Sequence, residues 1–215
     1  LAEHAAHVTA IMLREADMTL ACVDDRVTAL AIGPGAGASV RQAVLQILDR
    51  NVPTIFDADA LTAFEGNSAS LFGVTGPTDV MTPHIGEFRS LFPDISTDNR
   101  AEAVRRAADR AQCVVLLKGS ETWVAAPDGR MLVNHHASPW LATAGSGDVL
   151  TGLICGLMAQ GVTAFDAACM GAWLHGDIGV RGGPGLTADN MIGHIPLVLR
   201  GCLHDAKKHG SGSCT

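Results

Sequence analysis

Short apolar runs that stop at a glycine or polar loop, each followed by a stretch with helical spacing, recur along this chain. That alternation constrains the fold more than any other feature. Residues 28–32 run into Gly33-Pro34-Gly35-Ala36-Gly37, and residues 52–56 end at Asp57-Ala58-Asp59-Ala60. Residues 79–81 stop at Thr82-Pro83, and 113–117 at Lys118-Gly119-Ser120. Helical patterns follow at 40–50, where Ser39 is a good N-cap, after Leu61, at 85–91 and at 99–112. Strands separated by helices must run parallel, and right-handed crossovers bring helices onto the sheet. The expectation is an α/β sandwich with a mostly parallel central sheet flanked by helices. Residues 122–126 and 131–134 read as a hairpin around Pro127-Asp128-Gly129. Further helices are expected at 1–16, 147–158, 164–180 and 188–199, the last interrupted at Pro196. A single domain over 1–200 and a tail over 201–215, flexible from Gly210 on, complete the reading.

In open α/β sheets, ligands bind beyond the carboxyl ends of the strands. The glycine loop, the Asp-rich loop, Thr82-Pro83-His84 and Lys118-Gly119 all follow strands, so all fall on that one edge. Composition narrows the ligand. The 215 residues carry a formal charge of −7, so no nucleic-acid footprint is expected. A phosphate ligand would need backbone amides rather than a basic surface. Hydrophobic residues make up 47 % and aromatics only 4 %, so the core must be aliphatic. Six cysteines, none in a C-x-x-C pair or with zinc spacing, point to a reducing compartment, the cytoplasm, with neither a disulfide framework nor a structural zinc. The apolar stretch 149–174 contains Gln160 and Asp166 and breaks at Gly161. It reads as two buried helices rather than a membrane span.

The strongest local signal is Ala144-Gly145-Ser146-Gly147-Asp148 before an apolar helix. Glycines let consecutive N–H groups point one way, and the helix adds the positive end of its dipole. Such a nest stabilises a phosphoryl group in transfer. Asp148 is the acid placed to accept a proton from a substrate hydroxyl. Taken alone, the string suits an ordinary helix start equally well. Asp57 and Asp59 can orient ribose hydroxyls or a magnesium-bound water, or cap the next helix. His84, stiffened by Pro83, can donate to a substrate, and Glu87 can hold magnesium through water or complement the helix dipole. Lys118 is a rare cation on the ligand edge.

The string Leu141-Ala142-Thr143-Ala144-Gly145-Ser146-Gly147-Asp148-Val149-Leu150-Thr151-Gly152 resembles the anion-hole and catalytic-Asp signature of ribokinase-like kinases. It is more closely similar to the carboxyl-terminal domain type of ADP- or ATP-dependent NAD(P)H-hydrate dehydratases. Gly33 to Gly37, Asp57 to Leu61, Thr82 to Glu87, Leu117 to Thr122, Asp166-Ala167-Ala168 and His175-Gly176 match in the family's order, over the chain to about residue 200. The resemblance implies a ribokinase-like fold. It also implies dehydration of hydrated NADH and NADPH (NADHX and NADPHX) by phosphorylation of the ring hydroxyl and elimination of phosphate. Asp148 would be the base and the Gly145, Ser146 and Gly147 amides the anion hole. Gly35, Gly37, His84 and Asp148 would hold the hydrated dinucleotide. Lys118, Gly119, Ser120, Glu121, Thr122 and Gly147 would hold ADP or ATP, and Glu87 and Asp57 would hold Mg2+ indirectly. A homo-oligomer and a partnership with an NAD(P)H-hydrate epimerase are also implied. So is an additional amino-terminal segment, after which this chain begins.

Two other functions fit the same residues. A kinase of this fold for a vitamin-precursor alcohol shares the G-x-G-D chemistry but would release a stable phosphoester. A catalytically silent nucleotide-binding module would bind nucleotide without turnover.

Overall fold

The structure, a computed structural model, describes residues 11–13, 23, 25–37, 39–47 and 52–210, the side chains of 205–210 excepted. Its centre is a sheet of six strands among the described residues, in the order β1-β2-β3-β4-β5-β6. These are β1 (Leu30–Ile32), β2 (Thr54–Phe56), β3 (Val80–Met81), β4 (Val114–Leu117), β5 (Thr122–Ala125) and β6 (Met131–Asn134). β1 to β4 are parallel, with Ala31 opposite Ile55 and Met81 opposite Val115. β5 and β6 turn back antiparallel as the expected hairpin.

Because side chains alternate across a strand, neighbouring residues feed opposite layers. Phe56, Met81, Val115 and Leu117 meet α1 (Val40–Ile47), α2 (Asp59–Thr62), α3 (Ser68–Phe72), α4 (Ile85–Leu91) and α5 (Arg100–Ala111) on one face. Ile55, Val80, Val114, Leu116 and Val124 meet α6 (Ser146–Met158) and α7 (Ala164–Gly182) on the other. These strands read as continuous apolar runs because both faces are covered. α8 (Ala188–Gly210) packs outside α6 and α7 through Met191 and Val198, with Leu186 just before it in the same cluster. Buried Asp79 ties the sheet's lower edge, accepting from Thr54 N at 2.9 Å and Gly76 N at 2.8 Å.

Several boundaries differ from expectation. The first three parallel strands are shorter than their apolar runs. The helix expected at 40–50 is helical through Ile47, and 48–50 lie outside the described residues. The short helix expected after Leu61 begins earlier, at Asp59, and α3 was not anticipated. The last helix neither stops at Leu199 nor gives way to a tail at 201. It runs through Pro196 to Gly210. Proline removes a helix donor at that point, but the carbonyl left over belongs to Ile192, which is 62 % exposed and can turn to water. The helix expected at 1–16 falls outside the described residues except for 11–13, which are not helical. Among the described residues, no helix is long and apolar enough to cross a membrane.

Candidate active site

At the carboxyl edge of the sheet opens a cleft of about 940 Å³. One end of it is the start of α6. Gly145 takes φ 79°, a left-handed turn that suits glycine, and α6 begins at Ser146 with Asp148 in its first turn. Ser146 is buried and Asp148 exposed. Asp148 stands between this cleft and a second, apolar groove of about 580 Å³ bordered by Gly145, α6 and α8.

Opposite the nest lies a charge cluster assembled from three strand ends. Asp57 is buried, with Oδ1 2.7 Å from Lys118 Nζ and Oδ2 accepting from Thr151 Oγ1 at 2.7 Å. Glu87 Oε2 lies 4.0 Å from the same ammonium. Lys118 is therefore a cation shared by two acids rather than a solvated side chain. It also borders the nest, since a Cβ on Gly147 would sit 3.5 Å from its Nζ. Between the acids, Ala58 holds φ 47°, a strained conformation for a residue with a side chain, on the cleft wall.

His84 and Glu87 form a capping box on α4. His84 Nδ1 accepts from Gly86 N at 2.9 Å and Glu87 N at 3.2 Å, while Glu87 Oε2 accepts from His84 N at 2.8 Å. A Cβ on Gly86 would come 2.8 Å from the imidazole, which accounts for glycine there. With Nδ1 accepting, the proton of the neutral ring is on Nε2. His84 lines the cleft, and its Nε2 lies 3.6 Å from Glu87 Oε1.

The structure thus brings Asp57, His84, Glu87, Lys118, Gly119, Ser120, Thr122, Ser146, Gly147 and Asp148 into one cleft. Gly145 borders the adjoining groove. Gly35, Gly37 and Glu121 lie outside the cleft lining. Gly37 N donates to Asp59 Oδ2 at 2.8 Å, so Asp59 staples the glycine loop. Glu121 pairs with His135 at 3.2 Å.

Other wall residues were missed. Asn134, His136 and Thr143 line the cleft. No motif marks Asn134 or His136, whose placement depends on the hairpin returning over α7, whereas Thr143 lies within the signature string without having been singled out. His175, from the matched pair His175-Gly176, supports the start of α6 from α7. Its Nε2 lies 2.9 Å from both the carbonyl oxygen and Oγ of Ser146. A carbonyl only accepts, so Nε2 carries the proton. Burial pushes the imidazole down to about 4, with the nearby Lys118 charge adding to the effect and the Ser146 bond opposing it. The ring is neutral at physiological pH.

A parallel sheet covered by helices, an anion nest at a helix start and a carboxylate beside it define a ribokinase-like protein with a nucleotide-sized cleft. A ribokinase-like superfamily protein from Enterococcus faecalis superposes with TM-score 0.69 and 25 % identity, over 80 % of this chain and 63 % of that one. The chain belongs to the NAD(P)H-hydrate dehydratase family, whose model matches residues 1–195. The bifunctional NAD(P)H-hydrate repair enzyme Nnr of Moorella thermoacetica is 41 % identical over 185 residues, 81 % of this chain and 35 % of the relative. The Bacillus subtilis ADP/ATP-dependent NAD(P)H-hydrate dehydratase, co-crystallised with ATP/Mg2+ and soaked with CoA, superposes with TM-score 0.70 at 32 % identity, over 80 % of this chain and 66 % of that one. The chain spans about a third of the length of the curated repair enzymes it matches.

Proposed function

We propose that this chain carries out the nucleotide-dependent dehydration of NADHX and NADPHX. The observation that carries the reading is the meeting, in one cleft, of the α6 nest, the Asp148 carboxylate and the Lys118–Asp57–Glu87 cluster. Asp148 takes the proton from the ring hydroxyl as that oxygen attacks the terminal phosphoryl group of ADP or ATP. The nest amides and Lys118 face the charge that develops on the phosphoryl oxygens. Phosphate is a far better leaving group than hydroxide. The ring nitrogen's electron pair then expels it, breaking the carbon–oxygen bond. Loss of a proton from the adjacent ring carbon restores the dihydronicotinamide. The products are reduced cofactor, inorganic phosphate and AMP or ADP.

Magnesium bound with the nucleotide supplies charge neutralisation at the phosphates. The residues fit an indirect role for it. Both Asp57 oxygens are engaged by Lys118 and Thr151, and Glu87 Oε2 by His84 N, so a strongly hydrated ion would be held through its waters. His84 Nε2 is the group we assign to the hydrated dinucleotide, with Gly35 and Gly37 further out on the same edge. Lys118 to Thr122 and Gly147 are assigned to the nucleotide, Glu121 through its backbone. The bifunctional character of the matched relatives supports partnership with a second repair activity, for which an epimerase is the expectation.

The test incubates the protein with Mg2+, hydrated NADH and ADP or ATP in parallel, following dihydronicotinamide absorbance and phosphate release. Recovery of both signals is expected with at least one nucleotide. A stable phosphoester instead would identify a kinase, and binding without turnover a silent module. Asp148→Asn is expected to lower turnover by about 10²- to 10⁴-fold, the range for loss of a positioned base, while nucleotide affinity stays within about twofold of wild type. Full activity in that variant removes Asp148 from the base role.

A further inference from the structure

The cleft wall formed by residues 134–143 leaves β6 at Asn134 and has no further regular structure beyond the turn Pro139–Leu141, yet α7 grips it along its length. Asn134 Nδ2 donates to the carbonyls of Ala172 and His136, both at 3.1 Å, and its Oδ1 accepts from His136 N at 3.2 Å. The His136 ring stacks on Trp173, with centroids 5.1 Å apart. α7 runs so close beneath that a Cβ on Gly176 would overlap the His136 carbonyl oxygen. Leu141 fills the notch over Gly179.

A second polar fastening, besides the Asn134–Ala172 bond, is Asp177, buried on α7 and outside the cleft lining. Its Oδ1 accepts from His136 Nε2 at 3.2 Å, and its Oδ2 accepts from Arg181 Nε. Burial alone would raise this carboxyl, but the bonds from Arg181 and His136 outweigh it and hold it below the usual range. The acid is therefore charged when it holds His136. The turn at Gly119 and Ser120 adjoins this wall, because Thr122 pairs with Asn134 across the hairpin and Glu121 lies 3.2 Å from His135. A base lying along the turn would rest on the irregular wall and be held only if that wall is held still.

We propose that Asp177 is a positioning residue for nucleotide: through His136 it fixes the 134–143 wall against which the base is held. It touches neither nucleotide nor the reacting atoms. The inference rests on the reading that nucleotide occupies this cleft. Losing the fastening costs the order needed to bind, whereas the nest, Asp148 and Lys118 stay in place once nucleotide is bound.

The experiment measures ADP and ATP affinity by calorimetry for wild type, Asp177→Asn, Asp177→Ala, His136→Phe and the Asp177→Ala/His136→Phe double variant. Turnover at saturating nucleotide is followed for wild type and the Asp177 variants. Asp177→Ala should weaken nucleotide binding about tenfold, the loss expected for one charge-assisted hydrogen bond. Asp177→Asn, which can still accept from Nε2, should retain most of the affinity. The double variant should bind no more weakly than the weaker single one, because both remove the same bond. Turnover at saturation should stay within about twofold of wild type for the Asp177 variants. If Asp177→Ala does not fold, His136→Phe, which keeps an aromatic ring to stack on Trp173, decides: wild-type affinity there overturns the proposal. So does a parallel fall of kcat and affinity in either Asp177 variant, which would mark a general structural role. Failure of the wild-type protein to bind either nucleotide would instead overturn the underlying functional reading.

Discussion

At the scale of single residues, the site is built from groups whose chemistry is set by a neighbour distant in sequence. His175 makes the case. The motif His175-Gly176 is visible in the chain, but its bond to Ser146 depends on α7 crossing beneath the start of α6. With the imidazole at about 4 in the folded protein against 6.5 normally, the unfolded chain binds the extra proton first as pH falls. Its neutral, buried state therefore stabilises the fold fully above about pH 6.5, and that contribution is lost as pH falls toward 4, by about 3 kcal/mol in all. Denaturant titrations at pH 7 and pH 5 should show this loss in wild type and a flatter profile in His175→Gln. Equal pH dependence in the two proteins would exclude His175 as its source. Asp148 and the nest were legible because their chemistry is local, within a few residues of one helix start. The pairing of Lys118 with Asp57 was not, because it joins two strand ends brought together only by the parallel sheet.

At the scale of elements, alternation of apolar runs and helical spacing revealed all six strands and most helices, and the mark is strongest at β2, β3 and β4, which are buried throughout. Three kinds of element were harder to read. α3 is too short to show a period. β1 and β2 are shorter than their apolar runs, because early residues of those runs, Ala29, Val52 and Pro53, lie outside the ladder and are only partly buried. α8 continues past Pro196 because exposure of Ile192 makes the lost hydrogen bond tolerable. The crossing of α6 and α7 is tighter than spacing alone suggests. A Cβ on Gly171 would lie 2.6 Å from Ile154 Cγ1, and Ile154 is fully buried. Gly171→Val is therefore expected to destabilise the protein by about 1–3 kcal/mol through overpacking, read as a fall in Tm. An unchanged Tm would mean that Ile154 can move aside and that the crossing is not close-packed.

At the scale of the whole molecule, the cleft draws on strand ends at Asp57, His84 and Lys118 and on helices starting at Ser146 and Ala164. No contiguous segment contains it, so a ligand that needs the assembled cleft binds the native state alone. ADP or ATP at 100 times its dissociation constant should then raise stability by about 2.7 kcal/mol, seen as a higher Tm in thermal unfolding. The shift should persist in Asp148→Asn, which spares the nucleotide subsite. A Tm indifferent to nucleotide would place the nucleotide elsewhere or remove it from the function.

One helix, α7, carries the seat of the 134–143 wall at Ala172, Gly176 and Gly179, and between them His175, the support of the phosphate nest. From Ala172 to Gly179 is about 10 Å of rigid rise. Because one rigid element carries both supports, a displacement of α7 moves the wall and the helix start at Ser146 together, and neither can be repositioned alone.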